Sequence, residues 1–184
     1  MQRRIQTLLR CALGAAFVLL ASCDNPRTCF ERAVLNCNML QGFAGTGMLR
    51  QLESPSAKLT DAKTGASAPM RRAEIISDKI TFIEQSLEKV RKLSQNNDTR
   101  DIIQASIALH EFVLPVYRNE YQQLAKLHDD GAPKAQIDAL AAAITAKYRA
   151  GFQSHFDRLT AAARPYAAKH DIKVIWDVQT SPTR

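Results

Sequence analysis

Three stretches of this chain place apolar residues at the spacing of a helix face. In the first, Ala73, Ile76, Ile80, Ile83, Leu87 and Val90 step alternately by 3 and 4, which is the seam spacing of coiled-coil-like packing. Asn96-Asn97-Asp98-Thr99 interrupts it, and Thr99 with Asp101 predicts the start of a second helix. There Ile103, Ile107, His110, Leu114, Tyr117, Tyr121, Leu124 and His128 form the stripe, widened by Ile102, Leu109, Val113 and Val116. Pro115 sits inside it and predicts a bend, because it lacks the N–H that the helix uses. Asp129-Asp130-Gly131-Ala132-Pro133 reads as stop and restart, with Gly ending one helix and Pro opening the next. A third helix follows through Ile137, Leu140, Ile144, Tyr148, Phe152, Phe156, Leu159, Ala163 and Tyr166, with Pro165 as a point of shortening or kinking. Turns this short predict antiparallel neighbours.

The pattern changes on either side of these stretches. Ile172-Lys-Val-Ile-Trp-Asp-Val178 is β-prone, with Ile172, Val174, Trp176 and Val178 on one face. A lone strand is not stable, so it must add to a short strand from the 24–52 region, to a partner, or to the bundle surface as an extended tail, and Trp176 is the candidate contact residue there. Residues 53–69 are rich in Ser, Ala, Thr, Lys and Pro and predict a flexible linker or long loop. Upstream, Thr28-Cys29-Phe30-Glu31 matches a capping box ahead of Phe30, Ala33, Val34, Cys37 and Leu40 at helical spacing. The expected fold is mainly α: an antiparallel helical bundle of about three long helices plus a short N-terminal helix, with one short C-terminal β-prone segment. Residues 23–52 are expected to form a weakly constrained segment, 53–72 a linker, and 73–184 the bundle with its strand-like tail.

The N-terminus has a pattern of its own. Arg3, Arg4 and Arg10 surround and precede an apolar core, Cys11 to Leu20, that is too short to span a bilayer as a helix. It ends in Leu20-Ala21-Ser22-Cys23, which resembles the lipobox of bacterial lipoproteins. That resemblance implies removal of residues 1–22 and attachment of a diacylglycerol to the Cys23 thiol, with acylation of the new amino group. Two or more acyl chains give stable anchoring where one is marginal. Asp24, followed by Asn25, resembles the signal that keeps enterobacterial-type lipoproteins in the inner membrane, facing the periplasm; the outer membrane is the alternative.

Processing changes the charge and the cysteine inventory. The full chain has 25 Lys and Arg against 18 Asp and Glu. Loss of three arginines leaves 22 against 18, a net of +4, with both signs interleaved. No electrostatic footprint for nucleic acid results. Cys11 leaves with the signal and Cys23 takes the lipid, so Cys29 and Cys37 remain in a compartment where thiols usually pair. On one continuous helix residues eight apart lie about 12 Å apart along the axis, whereas a disulfide needs Cα atoms within about 7 Å. An intramolecular bridge therefore requires a broken helix; buried thiols and an intermolecular bridge are the other two solutions.

Chemistry-bearing motifs are scarce. There is no phosphate-binding glycine loop, no His-Glu-x-x-His and no Gly-x-Ser-x-Gly, and Gly42, Gly45 and Gly47 do not join a strand to a helix. His110 on the second stripe, with His155 across the bundle, is the candidate for haem or metal ligation. The aromatic stripes read as core. No enzymatic activity and no cofactor is expected. The reading left is a lipid-anchored interaction module that binds another envelope protein, accessory to a secretion, conjugation or exclusion/immunity assembly. One alternative rests on the end of the chain: Ala167-Ala-Lys-His-Asp-Ile-Lys-Val-Ile-Trp-Asp177 resembles the helix-then-strand ending of the periplasmic Skp/OmpH chaperones, which implies holdase activity.

Overall fold

In the computed structural model, residues 25–176 are described; the lipobox with Cys23, Asp24 and the last part of the β-prone tail lie outside them. The described chain is mainly helical, with one small two-stranded antiparallel sheet. The helices are α1 (Pro26–Ala33), α2 (Thr46–Glu53), α3 (Arg72–Arg91), α4 (Arg100–Val116), α5 (Gln122–Asp129) and α6 (Lys134–Lys169). A 3-10 turn, Leu35–Leu40, follows α1, and a π turn, Tyr117–Tyr121, joins α4 to α5 without a break.

The apolar stripes pack as their spacing requires. Ile76, Ile83, Leu87 and Val90 of α3 are buried, as are Ile103, Leu109, Val113, Tyr117, Tyr121 and Leu124, and Ile144, Phe152, Phe156, Leu159 and Ala163 of α6. Pro115 neither breaks nor ends its helix. With no N–H at 115, the strain is taken up just downstream, where the hydrogen bonding loosens into the π turn. Nor does Pro165 end α6, which runs on to Lys169.

Two contacts orient the rods. At one end the Asp129 carboxylate, at the close of α5, accepts from the backbone N–H of Arg72 (2.9 Å) and Ala73 (3.0 Å) at the start of α3. Those donors have no partner within their own helix, and a carboxylate also suits the positive end of a helix. At the other end Asp98, just before α4, binds Lys169 Nζ (2.8 Å) and His170 Nε2 (2.6 Å) at the end of α6. Gly151 lets α6 close on α4: a Cβ there would meet the Phe112 ring at 2.7 Å.

Three expectations are corrected. The residues expected to form a weakly constrained segment after Cys23 are part of the core: Phe30, Ala44 and Leu52 are fully inaccessible, and Leu40, Phe43 and Met48 nearly so. This segment reverses direction at Gly42 (φ +86°) and Ala44 (φ +48°), and Gly42 and Gly47 touch, so a Cβ on Gly47 would sit 2.9 Å from the Gly42 Cα. The Gly42 carbonyl then accepts from Gly45 and Met48 N–H, both at 3.2 Å, which tethers the start of α2. Tyr121 Oη accepts from the Ala44 N–H at 2.9 Å and fixes the reversal to the long helices. Gly42 and Gly47 serve this close backbone approach.

Second, the expected linker contains a β-hairpin, β1 (Ala57–Asp61) with β2 (Ala66–Pro69), turned by Gly65 (φ +71°) and by Asp61 Oδ1, which accepts from Lys63 N–H at 2.7 Å. Nearly all its residues are exposed, and local turn bonding plus a Lys58–Glu74 ion pair hold it. Third, Ile172–Trp176 forms no strand. After α6 it lies against the helices as an extended segment, with Ile172, Val174 and Trp176 partly buried, so the helix-then-strand ending of the Skp/OmpH chaperones is not reproduced.

Candidate functional site

The candidate residues fall in two places, the buried middle of the molecule and the end where the N-terminus enters. In the middle, the 3-10 turn after α1 presents Cys37 to the inner face of α4. Its Sγ lies 3.5 Å from the Ala33 carbonyl, 3.6 Å from Ser106 Oγ and 4.0 Å from His110 Nδ1. His110 Nδ1 is 2.8 Å from the Ser106 carbonyl oxygen. A carbonyl only accepts, so Nδ1 carries the proton and Nε2 is a bare lone pair. That atom has no hydrogen-bond partner among the described residues.

Burial decides the charge state of this cluster. It pushes the Cys37 thiol up to about 12, against a smaller lowering by Ser106. It holds His110 below its ordinary value, against a smaller raising by the Ser106 carbonyl. A nucleophilic cysteine needs a thiolate, stabilised by a cation or a helix N-terminus. Here both groups are neutral, so the cluster is a hydrogen-bonded core unit. α1 does stop at Ala33, as an intramolecular bridge requires, yet Cys29 and Cys37 are not joined to each other; both side chains are buried.

His110 is not paired with a second histidine. His155 stacks on Phe112 at 4.9 Å, and no surface of His110 is accessible to present to a haem. Among the described residues no three His, Cys, Asp or Glu side chains converge to hold a metal ion. His128, in the last turn of α5, is held low by burial and then by Arg72, while the Asp129 carboxylate bonds to the start of α3. Sequence reasoning missed Ser106, Asp98 and Asp129 as connectors, because each one's partners are remote in the chain.

At the N-terminal end, Asn25 is the cap of α1: its Oδ1 accepts from Arg27 N–H at 2.9 Å, and Pro26 occupies the first turn. The cap is therefore Asn25, three residues before the expected Thr28. Tyr166 Oη donates to the Pro26 carbonyl (3.3 Å), and the Phe30 ring stacks on Tyr166 at 6.3 Å. Trp176 meets Phe30 edge-on at 6.1 Å, and the Arg164 guanidinium covers it at 5.0 Å. The exposed apolar side chain here is its neighbour Ile175, 89% accessible. A separate groove of about 290 Å³ lies beside α3, lined by Met39, Met70, Lys79 and Phe82 among others. No described helix is long and apolar enough to cross a membrane. The chain matches no protein-family model, no curated protein and no solved structure.

Proposed function

We propose that this chain is a lipid-anchored interaction module of the bacterial cell envelope, without enzymatic activity, held at Cys23 and accessory to a secretion, conjugation or exclusion/immunity assembly. Its body is an antiparallel bundle of three long rods, α3, the continuous α4–α5 and α6, with α1 and α2 packed into it. The observation that carries this reading is the lipobox-like Leu20-Ala21-Ser22-Cys23, which ends two residues before the Asn25 cap of α1. The neutral Cys37–Ser106–His110 cluster supports a non-catalytic role. Asp24 favours the inner membrane, with the outer membrane as the alternative.

The test is the mass of the N-terminal peptide from membranes of cells making the full chain. A diacylglyceryl-modified Cys23 at the new N-terminus is the expected result, and Cys23→Ala abolishes both that mass and membrane retention. An unmodified Cys23 on a protein still in the membrane fraction refutes the reading. Crosslinking in intact cells, followed by identification of the captured protein, then names the partner.

A further inference from the structure

The sequence places Cys23 before a long spacer, but the structure removes the spacer. Only Asp24 stands between Cys23 and the helix cap Asn25, so their Cα atoms are at most about 7.6 Å apart, at about 3.8 Å per trans peptide. Asn25 in turn is fixed to the body, through Pro26 to Tyr166 and through Phe30 to Tyr166 and Trp176. A lipid on Cys23 thus leaves the bundle no tether along which to stand off from the bilayer.

We infer that the end of the bundle formed by the start of α1, the end of α6 and the Ile172–Trp176 segment is a lipid-facing surface. It sits against the phospholipid headgroups, with the β-hairpin at the far end; the inference rests on the anchored reading above. The surface suits this partner. Arg27, Arg164, Lys169 and Lys173 are exposed there. Of the acidic groups at the same end, Asp98 is occupied by Lys169 and His170, while Asp101 and Asp171 are exposed. Basic side chains are drawn to anionic headgroups. An exposed Ile175 beside Trp176 is the apolar-plus-aromatic pairing that settles at a membrane interface.

The direction of the rods sets what lies far from the membrane. Asp98 marks the near end of the α4–α5 rod and Asp129 the far end. The thirty residues from Arg100 to Asp129 span about 45 Å at about 1.5 Å per residue. Arg72, which opens α3 directly after the hairpin, is held at the Asp129 end.

Nitroxide quenching in vesicles tests the arrangement. The full-length protein is purified with its lipid and reconstituted in phosphatidylcholine–phosphatidylglycerol vesicles carrying headgroup nitroxides. One fluorophore is placed at Lys173→Cys or, separately, at Lys63→Cys in the hairpin turn. Cys29 and Cys37 are buried and stay unlabelled. Trp176, the one tryptophan of the chain, reports on the near end with no substitution. The expected result is quenching at 173 at least threefold greater than at 63, with Trp176 quenched as well. Equal quenching at both sites, or stronger quenching at 63, overturns the end-on seating while the anchored reading stands. Wild-type protein that carries no lipid and does not float with vesicles defeats the anchored reading itself, and this inference with it.

Discussion

Single residues decide whether the N-terminal third of the molecule belongs to the core. Ala44 N–H is buried and its acceptor is the phenol of Tyr121, 77 residues away in sequence. Tyr121→Phe leaves that donor unsatisfied and should cost about 1–3 kcal/mol, read by urea denaturation. Gly47→Ala forces a methyl against the Gly42 backbone and should cost a similar amount, about 1–3 kcal/mol. One buried and two half-buried imidazoles give stability a pH dependence. His110, His128 and His155 are all held below the ordinary histidine value, each mainly by burial. As pH falls below about 6.5, the unfolded chain takes up protons that the folded one refuses, so stability falls from neutral pH towards pH 5. Denaturation midpoints measured across that range should show the slope, and His110→Gln should flatten it in part. The sequence shows His110 on an inward stripe and shows the glycines as unusual. The Tyr121 clamp is not legible there, since an acceptor seventy-seven residues away leaves no local pattern.

At the scale of elements, periodicity locates the three long helical stretches, because each buries one continuous face. Asn25-Pro26 is as plain a helix start as Thr28-Cys29, and the structure uses the former. Regions without such a face are where the reading departs from the structure. The hairpin is built from turn geometry, with exposed strands that carry no apolar alternation, and so its composition looks like that of a linker. The tail has strand composition but no neighbouring edge to pair with, and packs by its side chains instead. These differences have measurable weight. Replacing the residues from Ala57 to Pro69 with a short Gly/Ser loop should lower stability by less than about 1 kcal/mol, since an exposed ion pair is the hairpin's main side-chain tie to α3. Asp129→Ala should cost more, about 1–3 kcal/mol, because it strips the acceptor from two N–H groups at the start of α3. Burial works against the Asp129 carboxylate, but the Ala73 and Arg72 N–H groups and two guanidiniums hold its pKa below the usual value. Its contribution is therefore present above about pH 4 and lost as pH falls through the lowered folded value.

For the whole molecule, the main revision is that no boundary separates an anchor-proximal arm from a bundle. Deleting residues 25–53 removes Phe30, Leu40, Phe43, Met48 and Leu52 from one shared core. It should leave a chain without a cooperative thermal transition, followed by circular dichroism, whereas a body on a flexible arm would melt unchanged. On the anchored reading proposed above, the same continuity bears on the order of events during export. Phe30 finds its stacking partner Tyr166 across 136 residues of chain, so that contact cannot form until almost the whole polypeptide has emerged. On the proposed reading, Cys23 is until then attached to an unfinished fold, within reach of enzymes that would acylate and cleave a lipoprotein precursor. Once Phe30 stacks on Tyr166, the Asn25 cap two residues after Cys23 is held against the folded body. If Cys23 is lipidated as proposed, the single residue between it and the Asn25 cap makes maturation and folding compete for one window of time, and slow lipidation would strand a folded precursor.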